Sequence, residues 1–197
     1  MENGNLKYLL GEVVMNNDQR SYKELFISYY DRLYSFAFSI LKSREDAEEV
    51  VSDFFIMVWQ KKANLLEIDN LRLYFFITIK NLSINKLSKR KKNSTQFNEE
   101  YLVHFKSPFF NPDELLLSRE AVAMILEAIN ELPPKCKMIF KLIKEDGLKY
   151  NDVASLLNIS IKTVEAQMAI AIKRIGNSYN FRSQFPELHS ILSGKKN

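Results

Sequence analysis

The sequence predicts an all-α fold: two small helical domains joined by a linker. The 197 residues include only five glycines and five prolines, so the chain has few of the turn residues that a sheet protein needs. Apolar residues recur at helical spacing in two blocks, residues 20–92 and 114–180. Residues 93–113 mix Asn, Ser, Thr and Pro with scattered aromatic side chains, as linkers do. The remaining segments, 1–19 and 181–197, are interpreted as an N-terminal extension and a C-terminal tail.

Three helices are predicted in the first block. The first, residues 21–42, carries apolar side chains three or four positions apart. The second, residues 43–62, opens with Ser43 as an N-cap, and the acids in its first turn favour the positive end of the helix. The third, residues 71–92, has too many apolar side chains for one face, which predicts burial from several sides.

The second block begins with two longer helices. The first covers residues 114–132 and is stopped by the prolines at 133–134, which suit the first turn of the next helix. That next helix covers residues 135–146. Gly147 follows it as a natural C-terminal cap, because glycine adopts the left-handed backbone that ends many helices.

The stretch LLNISIKTVEAQM, residues 156–168, predicts a helix-turn-helix. A short helix at residues 150–157 ends at Asn158, which tolerates left-handed backbone, and Ser160 can cap the helix that follows. Ala154 supplies the small side chain that a close helix crossing requires. In such a motif the second helix presents its N-terminal residues to the major groove. An ordinary helical hairpin with a polar outer face stays an alternative.

The last helix has a predicted core face and a predicted outer face. The core face consists of Ile161, Val164, Met168, Ala171, Ile172 and Ile175. On the outer face, Gln can pair with adenine, Glu can accept from cytosine, and Lys and Arg can hold phosphates. The residues of the outer face are Lys162, Thr163, Glu165, Ala166, Gln167, Ala169, Ile170, Lys173 and Arg174.

Two basic blocks flank an acidic middle. Residues 20–92 carry 14 basic and nine acidic residues, and residues 133–197 carry 11 and five, whereas residues 93–132 carry two and seven. Basic blocks attract phosphate, and this pattern therefore agrees with nucleic-acid binding. Chance clustering on an ordinary solvated surface produces the same pattern, so charge alone does not decide the function.

Several function classes are disfavoured by the composition. The single Cys136 excludes an internal disulfide, and the only two histidines, His104 and His189, stand far apart in sequence, which disfavours a Cys/His metal site. No Ser/His/Asp arrangement or Gly-rich phosphate loop indicates an enzyme. The N-terminus lacks a signal-peptide pattern, and no apolar run approaches the length of a membrane span. We therefore expect a cytoplasmic protein without catalytic residues, metal or cofactor.

Two blocks of the sequence resemble one known family. Residues 128–175, with the phrases LPPKC, GLKYNDVA and ISIKTVEAQ, resemble the fourth conserved region of sigma-70-type RNA polymerase sigma factors of the extracytoplasmic-function (ECF) subfamily. REDAEEVVSDFFIMVWQ, residues 44–60, resembles region 2.2 of that family. LYFFITIKNLSINKLSKRKK, residues 73–92, resembles regions 2.3 and 2.4. The resemblance follows the family's order from residue 21 to residue 175.

The resemblance implies an alternative sigma factor, which binds core RNA polymerase, directs it to promoters and assists promoter opening. The implied partners are the beta-prime coiled coil and the beta flap of core polymerase, promoter DNA and, as is common in the subfamily, an anti-sigma factor. A stand-alone helix-turn-helix regulator that does not depend on core polymerase is the main alternative. The first block discriminates against it, since such regulators do not usually carry that block. A helical interaction protein without DNA binding is a further alternative.

The resemblance also assigns site residues in the first block. For the beta-prime coiled coil these are Asp46, Glu49, Val50, Asp53 and Met57, with Ser52 departing from the family's usual Gln. For the −10 element, the loop of residues 63–70 is expected to capture a flipped base. The −10 set is Asn64, Leu65, Lys80, Asn81, Lys86, Lys89 and Arg90, with Lys91 and Lys92 as further backbone contacts. Tyr74, Phe75 and Phe76 either stack on bases or belong to the core.

For the −35 element the resemblance points to the outer face of the last helix. Glu165, Ala166, Ala169 and Ile170 fall where related proteins read bases or clamp phosphates. Ala169 and Ile170 depart from the basic or polar residues that are common there, and apolar side chains can contact a thymine methyl group. Lys149 departs from the usual Ser or Thr cap of the preceding helix, which typically costs about 1 kcal/mol of stability.

Overall fold

A computed structural model describes residues 3–93 and 119–177, and the regular secondary structure of those residues consists of helices joined by short turns, without strands. The all-α prediction is therefore confirmed, and the helices form two compact units. The predicted linker and tail lie outside the described residues, and the predicted domain boundaries stay predictions. The first unit contains α1 (Asn3–Met15), α2 (Gln19–Leu41), α3 (Arg44–Leu65) and α4 (Leu71–Asn93). The second contains α5 (Arg119–Asn130), α6 (Pro134–Lys144), α7 (Tyr150–Leu157) and α8 (Ile161–Asn177).

The core of the first unit is aromatic. Helices α2, α3 and α4 pack against one another in all three pairs. Phe75 of α4 is fully buried and meets the rings of Tyr29 and Phe54 edge-on, at centroid distances of 5.4 and 4.9 Å. Phe76, which is 1% exposed, meets Phe36 in the same way at 5.2 Å.

The prediction that α4 is buried from several sides is wrong, because its buried residues lie on one face while Ile77 and Ile84 are 37% and 43% exposed. The interpretation of Phe75 and Phe76 as core residues is confirmed, and the alternative of base stacking by these rings is wrong.

Helix α1 is a core element that the sequence analysis does not predict. It lies within residues 1–19, which are interpreted above as an extension, and it packs against α2, α3 and α4. Leu6, Leu9, Leu10 and Val13 follow helical spacing and are at most 3% exposed. These four side chains bury enough apolar surface to make α1 part of the unit.

Asp18 begins α2 directly after α1. Its carboxylate accepts the N–H groups of Arg20 and Ser21, each at 3.1 Å, and also the Ser21 hydroxyl at 2.7 Å. These hydrogen bonds, the one from the Ser21 hydroxyl foremost, lower the pKa of Asp18. The cap fixes the angle at which the chain leaves α1, so that both helices face the same core.

Gly11→Ala is expected to stabilise the first unit. Gly11 lies in the middle of α1, and a methyl group added there meets no atom within 4 Å. Replacing an interior helical glycine with alanine typically adds about 0.5–1 kcal/mol, because alanine loses less backbone entropy on folding. The measurement is urea unfolding followed by far-UV circular dichroism. Gly147→Ala is the contrasting variant, since its φ of 65° disfavours a side chain. A lower midpoint for Gly11→Ala would contradict this account of α1.

The second unit is a helix-turn-helix supported by two further helices. Helix α8 contacts α5, α6 and α7, and Val164, Met168, Ala171 and Ile175 are at most 1% exposed on its inner side. Four of the six predicted core residues of α8 are therefore confirmed. Ile161 is 44% exposed and Ile172 is half-buried. The prediction fails for Ile161 because it stands at the first position of the helix, beyond the region that α6 and α7 cover.

The local signals of the helix-turn-helix are confirmed. Asn158 ends α7 with a left-handed φ of 54°, and the Ser160 Oγ accepts the Thr163 N–H at 3.1 Å at the start of α8. Ala154 is 6% exposed, as a small residue at the crossing should be. At Lys149 no side-chain cap is present, as expected, and Asp152 Oδ2 instead accepts the Lys149 N–H at 3.2 Å. None of the described helices is long and apolar enough to cross a membrane.

Candidate polymerase and nucleic-acid interfaces

Helix α3 presents a continuous acidic and apolar face to solvent. Its first turn is fixed by Ser43, whose Oγ accepts the Asp46 N–H at 3.2 Å, so the predicted cap is confirmed. Buried residues such as Ala47, Phe54 and Val58 hold the opposite side of the helix in the core. Exposed residues recur at helical spacing along this face, among them Glu45, Glu48, Glu49, Ser52, Asp53, Ile56 and Gln60.

The predicted polymerase-binding set is therefore only partly on this face. Glu49 and Asp53 are exposed, and Asp46 and Met57 are half-buried. Val50 is 3% exposed and belongs to the core, so its assignment to the exposed face is wrong. Sequence reasoning missed Ile56, which is 55% exposed between Asp53 and Gln60. The helical spacing of the buried α3 residues is the signal that could have found Ile56, because it places position 56 on the opposite, outward side of the helix.

Salt bridges connect the acidic side of α3 with the basic side of α4. The Asp46 carboxylate pairs with the Arg90 guanidinium, and the Lys86 Nζ lies 3.8 Å from Asp46 Oδ1. Lys86 also pairs with Glu49, and that hydrogen bond is the main reason why the pKa of Lys86 is raised. In the Lys86–Glu49 and Arg90–Asp46 pairs one partner is 57% exposed, so solvent screening limits each of these two pairs to about 1 kcal/mol of stability. They place the predicted polymerase-binding acids in contact with the predicted −10 cations.

An open groove of about 440 Å³ runs between α3 and α4 beside these pairs. Glu49 and Asp53 line its α3 side, and Lys86 and Lys89 line its α4 side. The groove therefore brings predicted members of the polymerase-binding and −10 sets to one place. Its mixed charge suits an extended or helical partner that carries both signs.

The other predicted −10 residues are distributed along α4. Asn81 and Lys89 are exposed, and Lys80 is half-buried. Asn70 directly precedes the helix, and its Oδ1 accepts the Leu73 N–H at 3.1 Å. Lys91 and Lys92 fall within α4, but their side chains lie outside the described part of the chain. The exposed cations at the end of α4 supply positive charge for a phosphate backbone.

The predicted base-capturing loop is shorter than the sequence suggests. Helix α3 continues to Leu65, so Asn64 and Leu65 lie in its last turn and the loop spans residues 66–70. Leu65 is 2% exposed, and its predicted contact with a flipped base is wrong for this structure. Asn64 is exposed and stays a candidate. Lys61 and Lys62 suggest a helix end near residue 62, but such cations are a weak signal. The helix continues because burial of Leu65 in the core stabilises one more turn.

Helix α8 carries the predicted −35 residues on the side away from its core. Glu165, Ala166, Ala169 and Ile170 are exposed, as are the three flanking cations Lys162, Lys173 and Arg174. Thr163 and Gln167 are half-buried at the edge of this face. The Gln167 backbone carbonyl accepts the Cys136 thiol at 3.1 Å, which ties α8 to α6, and burial raises the pKa of that thiol. The capped start and exposed first turns of α8 are what a DNA-reading helix needs.

The helix-turn-helix with its exposed α8 face, together with the separate helical unit of α1 to α4, indicates a DNA-binding protein that acts in transcription. The family model "Sigma-70 region 2" matches residues 25–93, and "Sigma-70, region 4" matches residues 123–175. The ECF RNA polymerase sigma-E factor of Escherichia coli (strain K12) is 24% identical over 182 residues, with 86% of this chain and 92% of that protein covered. The ECF RNA polymerase sigma factor SigE of Mycolicibacterium smegmatis is 22% identical over 148 residues, 75% of this chain and 57% of that protein.

One similar solved structure is that of the sigma factor RpoE in complex with the anti-sigma factor NepR from Bartonella quintana. It is 21% identical, has a TM-score of 0.47, and the match covers 80% of this chain and 95% of that one.

The chain belongs to the sigma-70 family, in the ECF group. It is an alternative sigma factor, and the family resemblance predicted from the sequence is confirmed. The family is one of transcription initiation factors rather than enzymes. A stand-alone regulator is not favoured, because region 2 accompanies region 4 in the same chain.

Proposed function

We propose that this sigma factor uses separate helices for its polymerase and promoter contacts. The exposed face of α3 binds the coiled coil of the beta-prime subunit, with Glu49, Asp53 and Ile56 as the central contacts. Helix α4 holds the −10 element, through Asn81 and the cations at its C-terminal end. Helix α8 enters the major groove of the −35 element. The beta flap of core polymerase is a further partner, proposed from the family resemblance.

The observation that carries the proposal is the composition of the α3 face. Two exposed carboxylates, Glu49 and Asp53, lie four residues apart, and the exposed Ile56 follows three residues later. A partner helix with basic and apolar residues complements such a stripe. Single exposed apolar residues are common on protein surfaces, so the proposal depends on the position of Ile56 within the acidic stripe and not on its exposure of 55% alone.

The remaining partners and the location follow from the same function. The protein acts where core polymerase acts, which is the cytoplasm, and it carries out no catalysis of its own and needs no cofactor. An anti-sigma protein is a further proposed partner on the family resemblance. In the first unit, Asp46 and Glu49 pair with Lys86 and Arg90. Polymerase competes for the two acids of these pairs, and DNA phosphates compete for the two cations.

The experiment is reconstitution with purified core RNA polymerase, followed by co-purification and run-off transcription. Asp53→Arg is expected to weaken co-purification by about tenfold or more, since a reversed charge faces basic partner groups and like charges at an interface cost several kcal/mol. The matched control is Asp31→Arg, which makes the same charge change at an exposed acid of α2.

Weakening by Asp53→Arg alone supports the α3 interface. Equal weakening by both variants reflects net charge and contradicts it. If the unaltered chain does not bind core polymerase while its DNA binding is intact, the stand-alone regulator becomes the better description.

A further inference from the structure

The outer face of α8 is unusual for a DNA-reading helix because its centre is apolar. Lys162, Ala166, Ala169 and Lys173 recur at the spacing of one helix face, and Ile170 flanks them. Ala166 and Ala169 are exposed, and Ile170 is 40% exposed. The exposed centre of this face therefore offers methyl and aliphatic groups, with Glu165 on one flank and cations at its ends.

The charges around this apolar strip identify what it can contact. Lys162 precedes it, and Lys173 and Arg174 follow it, all exposed. Cations at both ends of the strip suit the two phosphate backbones that border a major groove. Within that groove, the only apolar group on a base pair is the C5-methyl group of thymine. Alanine and isoleucine provide no hydrogen bond that would favour guanine, cytosine or adenine.

We infer that Ala166, Ala169 and Ile170 read thymine methyl groups, and that the −35 element of this sigma factor contains T·A pairs where they touch it. This inference rests on the proposed function, because it requires α8 to lie in the major groove. Ile170 carries most of the discrimination, since its side chain has the largest apolar surface of the three. Glu165 is the polar residue on the flank of the strip and can accept from a neighbouring cytosine.

The test removes the methyl group without changing base pairing. Holoenzyme is reconstituted from core polymerase and the full chain, and it selects from promoter duplexes randomised over the −35 region. One pool is synthesised with dTTP and a second with dUTP, so that the pools differ only in the thymine methyl group. Conserved thymines are expected in the first pool. Replacing one of them by deoxyuridine should weaken binding about fourfold, the effect of losing one buried methyl group.

Two isoleucines of the same helix provide matched variants. Ile170→Ala should reduce the ratio of thymine to uracil affinity towards one at one position. Ile161→Ala is the control, because Ile161 is similarly exposed, at 44% against 40%, but stands outside the outward strip. It should leave the ratio unchanged. If the methyl group acted only through DNA shape, both variants would keep the thymine-to-uracil affinity ratio of the unaltered chain.

The outcomes separate this inference from the proposed function. A holoenzyme that selects a −35 sequence but binds the thymine and uracil forms equally overturns the inference alone. Unchanged discrimination in Ile170→Ala overturns the assignment to Ile170. A holoenzyme that forms but selects no −35 sequence overturns both the inference and the proposed role of α8.

Discussion

Phe75→Ala is expected to lower the free energy of unfolding of the first unit by about 3–5 kcal/mol, the usual cost of removing a fully buried aromatic ring. Phe75 is 0% exposed and contacts Tyr29 and Phe54, so its removal leaves a cavity between α2, α3 and α4. Domains are typically stable by only about 5–15 kcal/mol, so a large part of this stability disappears. We expect the variant to lose polymerase and −10 binding at lower urea concentrations than the unaltered chain, because the unit that carries both sites unfolds earlier.

The measurement is urea unfolding followed by the fluorescence of Trp59, the single tryptophan, which packs against Tyr22 at 4.9 Å in the same unit. The matched control is Ile77→Ala on the same helix, where the side chain is 37% exposed and the expected cost is much smaller. If Phe75 stacked on a base instead, the variant would fold normally and lose about 1–3 kcal/mol of DNA binding. An unchanged unfolding midpoint would thus contradict the core assignment.

The parts of the fold that the sequence predicts are those decided by local chemistry. Ser43 and Ser160 cap their helices because a hydroxyl next to a free N–H needs only its immediate neighbours. Gly147 and Asn158 adopt left-handed backbone for the same local reason. Such signals involve residues at most a few positions apart, so no knowledge of the tertiary structure is required.

The sequence does not decide how a helix is rotated about its axis. In α3, apolar residues occur on more than one side, and the predicted stripe includes Val50, which the structure buries. The position of α4 decides which side is covered, and it leaves Ile56 exposed. The same limit affects the helix end, because Leu65 is held by the core and not by a cap.

Charge pairs between distant residues are equally invisible in the sequence. Asp46 and Arg90 are 44 positions apart, and their pairing depends on how α3 and α4 pack. Helix α1 is a different case, because Leu6, Leu9, Leu10 and Val13 do follow helical spacing. Gly11 in its middle and the Asn- and Gly-containing start weaken the pattern, so an interpretation based on helix propensity passes over it.

Neutralising the three cations of α8 is expected to have the largest effect on DNA binding. The variant is Lys162→Gln with Lys173→Gln and Arg174→Gln, all on the exposed side of the helix. Each cation that no longer neutralises a phosphate should reduce the slope of log Kobs against log salt by about 0.9, so three reduce it by about 2.7. At 0.1 M salt this corresponds to a decrease in affinity of roughly 10²- to 10³-fold.

The measurement is fluorescence anisotropy of a generic duplex with the full chain, over a series of salt concentrations. The control removes the same three charges from exposed lysines of the first unit, by Lys7→Gln, Lys23→Gln and Lys61→Gln. Net charge falls equally in both proteins, so a difference in slope between them reports local phosphate binding and not the overall field. Equal slopes in the two triple variants would mean that α8 does not lie on the DNA. Its apolar strip would then have to meet protein instead, and its cations would be ordinary solvated charges.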